Sequence, residues 1–151
     1  MTADAHLAVD RRPWAVAAIV AGLAYVVAGL VLASLAGHAT SHQMRTIWRL
    51  LAWVVSAVIF AVHIRYEFFR LRSSRLRTAI HVAIAVALGA FGLAAAANIH
   101  AYIVGSTHRV ALGISLIAWP LLTAIPAFVV AWLVAQVLGR VREAGMRRAE
   151  D

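Results

Sequence analysis

The chain contains no cysteine and no lysine. Without cysteine there is no disulfide exchange, no thiolate metal site and no sulfur nucleophile, and the redox compartment stays open. Acids are scarce: Asp4, Asp10, Glu67, Glu143, Glu150 and Asp151 are all six among 151 residues. Only Glu67 lies near an apolar segment, so the paired carboxylates of a hydrolytic site are missing. No Gly-rich phosphate loop and no Ser-His-Asp pattern is present either. Charged residues make up 13% of the chain and hydrophobic ones 64%, with a mean hydropathy of +0.86. Soluble domains hold about a quarter charged and about half apolar residues, so both departures name lipid as the solvent.

Four apolar stretches fill the chain, at about 14–36, 48–66, 79–104 and 110–139. Each approaches the ~20 residues that cross a bilayer core as a helix. The links between them are short, about 37–46, 67–78 and 105–109, which makes consecutive helices antiparallel neighbours. The expected fold is an all-α integral membrane protein, one domain over 1–151, built as a four-transmembrane-helix antiparallel bundle. A signal-peptidase reading of Ser34-Leu35-Ala36 would remove the first helix. Its apolar run exceeds the ~7–15 residues of a secretory h-region, which favours a retained helix.

All 14 basic residues are arginine, and the formal charge is +8. Eleven of them (Arg11, Arg12, Arg65, Arg70, Arg72, Arg75, Arg77, Arg140, Arg142, Arg147 and Arg148) fall on the side of the termini and the second link. Arg45, Arg49 and Arg109 fall on the other side. The positive-inside rule then places both termini in the cytoplasm of a plasma (inner) membrane protein. Arginines flanking apolar runs find their partners in lipid headgroups, so nucleic acid is not an expected partner.

The second helix carries the densest chemistry. Its stretch free of ionisable groups, Leu50 to Val62, covers roughly 20 Å of a ~30 Å core, so charged groups must approach the hydrocarbon. Arg45, Arg49, Ser56, His63, Glu67 and Arg70 fall within about 60° of one helix face. A polar stripe in lipid is costly, and it should face the bundle interior, water or another subunit. A hairpin turning near Ser73 and Ser74 places Glu67 opposite His81, with His63 one turn deeper. His63, Glu67 and His81 are therefore candidates for a proton-linked path, together with Arg49 and Ser56. The same three side chains in a purely structural role would form a tie between helices.

Histidine is the other resource. His38, His42, His100 and His108 cluster near the expected outer links, and imidazole suits transition metals. The second helix and its flank carry His42 and His63, and the third carries His81 and His100, which gives one possible histidine pair near each membrane face and suggests bis-histidine haem ligation. His81 and His100 lie roughly 28 Å apart along one helix, a long separation for electron transfer within a single bundle. The third helix presents Ala85, Gly89, Gly92 and Ala96 at i, i+4, i+7 and i+11, a spacing that lets helix backbones approach in lipid. Trp119-Pro120 and Pro126 mark the fourth helix as one to kink. Three functions compete on these residues. The first is a transport or permeation module assembled as a homo-oligomer or with another membrane subunit. The second is a redox subunit holding haem or quinone. The third is a non-catalytic accessory or scaffold protein.

Overall fold

The computed structural model describes residues 12–105 and 109–148, and those residues are helical apart from short links. The elements are α1 (Arg12–Gly37), α2 (His42–Arg65), a π-helical turn (Tyr66–Arg70), α3 (Arg75–Ile103) and α4 (Arg109–Arg148). Four segments are long and apolar enough to cross a membrane: Pro13–Gly37, His42–Arg70, Arg75–Ile103 and Val110–Val141. The chain is accordingly a membrane protein by length and composition of its helices.

The helices run past the apolar stretches because hydrogen bonding, not hydropathy, ends a helix. The second begins at His42, six residues before Trp48, where the Ser41 hydroxyl accepts the Met44 N–H at 3.2 Å and caps the first turn. Ser74 caps α3 in the same way by accepting the Arg77 N–H at 3.4 Å. At the far end of α3, Gly105 adopts φ +71° and its N–H bonds the Tyr102 carbonyl, a left-handed stop suited to glycine. The fourth helix passes through Pro120 and Pro126 as one 40-residue element. The link between α2 and α3 shrinks to residues 71–74, because Glu67 to Arg70 continue the helix as a π turn.

Helix order in space differs from order in sequence. The first and third helices run parallel in direct contact: Ala18 and Ala21 pack on Ala85, and Tyr25 and Val26 lie over Gly89 and Gly92. A methyl added at Gly89 would sit 2.6 Å from Tyr25 Cβ, so glycine is what permits this approach. The fourth helix lies antiparallel along α3, with Arg75 donating to Gln136 Oε1 at 2.8 Å near one end. Asn98 donates to the Leu112 carbonyl at 2.9 Å near the other. The second helix packs mainly on α1 and meets α3 closely only near the π turn, where Ile64 joins Ala79, Val82 and Ala131. The expectation that all consecutive helices are close neighbours therefore fails for α2 and α3. The small residues of α1 and α3 draw those two helices together, and α2 is left on the outside.

The interior is made of small side chains. Ala18, Ala79, Ala85, Ala131 and Ala135 are essentially inaccessible, whereas Val20, Val27, Trp53, Leu122 and Ile125 point outwards. In lipid, large apolar groups lose little by facing the solvent, and close backbone packing supplies the cohesion.

Candidate functional site

The end of the bundle containing the π turn holds the only described carboxylate. Glu67 has 0% exposure and His63 4%, so both are enclosed by protein. Five segments place the cluster. The last turn of α2 supplies His63, and the π turn supplies Glu67 one helical turn later, so the two side chains meet at i, i+4. The link supplies Ser73, and the second turn of α3 supplies His81. The first turn of α1 adds Trp14, whose ring stacks on His81 at 4.3 Å between centroids and 12° between planes.

The carboxylate bridges the two imidazoles. Glu67 Oε2 lies 2.9 Å from His81 Nδ1 and accepts the Ser73 hydroxyl at 3.1 Å. Glu67 Oε1 lies 3.6 Å from His63 Nε2, beyond hydrogen-bonding distance. One oxygen is thus fully engaged and the other is not. Both His63 ring nitrogens, Glu67 Oε1 and the Thr78 hydroxyl are buried without a hydrogen-bond partner. Such atoms are costly in a dry interior, because each forfeits its hydration without replacement. An imidazole beside a half-satisfied carboxylate can take up, hold and pass a proton with only small movements.

The stripe read along α2 divides into two halves. His63 and Glu67 are buried and Ser56 is half-buried, but Arg45, Arg49 and Arg70 are exposed. Arg65 is exposed too, with its guanidinium 5.8 Å from the Phe69 ring centroid. The outer histidines are not drawn together in a buried site. His38 is exposed and its Nδ1 lies 2.8 Å from the Ser34 carbonyl oxygen. His42 and His100 are exposed, and His108 lies outside the described residues. No group of three or more His, Cys, Asp or Glu side chains among the described residues is arranged to hold a metal ion. The packing residues Ala85 and Gly89 are buried against α1, with Gly92 and Ala96 half-buried.

Two members of the site escaped the sequence. Ser73 reads there only as a turn residue and Trp14 only as the start of an apolar run. The signal for Ser73 was its position six residues after a lone membrane carboxylate. Trp14 had none, since its partner is 67 residues away and reached through α1–α3 packing. Compared with protein families, with curated proteins and with solved structures, the chain shows no match in any of the three.

Proposed function

We propose that the chain is a small membrane transport or permeation module, working as a homo-oligomer, in which His63, Glu67 and His81 carry a proton-linked step. The observation that supports this reading is the enclosed carboxylate: bridged by two imidazoles, with one oxygen engaged and the other oriented toward, but not bonded to, His63. An ionisable group kept inside an apolar bundle is costly, and it persists where it handles charge or solute. Four helices with alanine cores enclose little volume, so a pathway needs a second copy beside the outward face of α2. The arginine asymmetry supports a reading with the cluster at the cytoplasmic face of a plasma (inner) membrane and both termini inside. Reporter fusions at Asp151 and near Thr40 check that orientation, the first expected inside and the second outside.

The test is proton flux into proteoliposomes for wild type, His63→Ala, Glu67→Gln and the double variant, with thermal stability measured alongside. Flux above empty vesicles in wild type, lost in Glu67→Gln at unchanged folding, is the expected result. A well-folded wild type that conducts nothing above background refutes the reading. An accessory or scaffold role would then stand, favoured by the α1–α3 glycine contact and by the tie that Glu67 makes between Ser73 and His81.

A further inference from the structure

At the end of the bundle remote from Glu67, α1 and α2 part to leave a groove of about 670 Å³. Its walls include Gly29 and Leu32 from α1 and Trp48 and Trp53 from α2, with Arg45 and Arg49 at its mouth. The size falls within the ~300–1,000 Å³ of small-molecule sites. Polarity is graded along its length. Arg45 lies near the start of α2, Arg49 one turn on, and Trp53 one turn deeper, about 12 Å from Arg45 along the axis. Facing them, α1 goes from Gly37 at the rim to Gly29 in the depth.

The charge at the mouth is unbalanced. Two guanidiniums one turn apart on a helix repel each other. Both sit in the first two turns of α2, where the helix dipole adds positive potential. Glu67, on the π turn that continues this helix, is about 27 Å further along from Arg49. Among the described residues, neither the Arg45 nor the Arg49 side chain has a hydrogen-bond or ion-pair partner. These are also two of only three arginines on the side that the topology keeps poor in positive charge. A segment of 29 residues, His42–Arg70, spans about 43 Å as a helix against a ~30 Å hydrocarbon core, so its first turns reach the headgroup level. The anion present at that depth, beside a groove floored by glycine and walled by indoles, is a phosphate carried on acyl chains.

We propose that this groove binds one acidic phospholipid, its phosphate held between Arg45 and Arg49 and one acyl chain lying between Trp48 and Trp53 on one side and Gly29 and Leu32 on the other. The site is independent of the proton-linked cluster and of any transport activity. The test is native mass spectrometry of the full chain released from non-ionic detergent with equal amounts of phosphatidylglycerol and phosphatidylcholine. With two interfacial arginines at their usual worth, the retained lipid should favour phosphatidylglycerol by about 30-fold. Arg45→Gln/Arg49→Gln should abolish that preference, and Ala33→Leu, which narrows the groove and leaves the arginines in place, should weaken retention. An equal loss in Arg70→Gln/Arg77→Gln would mean diffuse attraction to basic surface and overturn the proposal. So would undiminished retention in Ala33→Leu, or displacement of the lipid by inorganic phosphate at matched concentration.

Discussion

The two ends of this bundle spend their polar residues in opposite ways. Around the π turn, three helices and a link converge, and His63, Glu67, Thr78 and His81 are folded inward with Trp14 stacked over the edge. At the other end α2 stands away from α3, and His38, His42, Arg45, Arg49 and His100 all face outwards. The cause is packing, not composition. Ala79, Val82 and Ala131 let α2, α3 and α4 close on one another near Ile64. Gly89 and Gly92 bring α1 rather than α2 against the middle of α3. Among the described residues, the fully enclosed polar side chains His63, Glu67 and Thr78 lie where three helices meet, and histidines and arginines on a two-helix edge remain available to solvent or headgroups.

That contrast can be broken most forcefully at its centre. Glu67→Ala removes the acceptor shared by Ser73 and His81 and leaves those groups enclosed without it. A loss of about 3–5 kcal/mol is expected, the usual result of breaking one side of a buried polar pair, read as a fall in unfolding temperature in detergent. A smaller effect tests how the ends come to differ. Gly89→Ala forces Tyr25 and the α1 backbone away from α3 and should cost about 1–3 kcal/mol, typical of overpacking. Cysteine pairs placed across α1 and α3 should cross-link more slowly in that variant. The smallest effect belongs to the open end. His100→Ala should change stability by no more than about 0.5 kcal/mol, as for exposed positions without partners. A loss there comparable to that of Glu67→Ala would erase the distinction between the two ends.

Much of the architecture is legible in the sequence. Runs of about 20 apolar residues fix four helices because a bilayer has one thickness, and the spacing of Glu67 from His63 fixes their meeting because an α-helix has one pitch. The juxtaposition of Glu67 with His81 followed from a hairpin of the right length. What could not be read was which helix lies beside which. The small residues Ala85, Gly89, Gly92 and Ala96 show that close approach is possible, but not with which helix. Trp14 was invisible as a neighbour of His81 for the same reason. Arg49 shares the helix face of His63 but is exposed where His63 is buried, since angular position on a helix says nothing about where along its length a neighbour is present.

The π turn turns a difference of residue type into a difference of count. A turn closed by the Leu71 N–H on the Tyr66 carbonyl holds one residue more than an α turn. Everything after it is therefore out of phase with α2 by one step. Deleting a single residue, such as the exposed Phe69, would restore ordinary pitch and swing the start of the 71–74 link by about 100° around the axis. The direction in which the chain leaves α2, and with it the side from which Ser73 and His81 reach the carboxylate, is thus set by arithmetic along the backbone. An insertion or deletion in these five residues should be felt more sharply than any substitution among their outward-facing side chains.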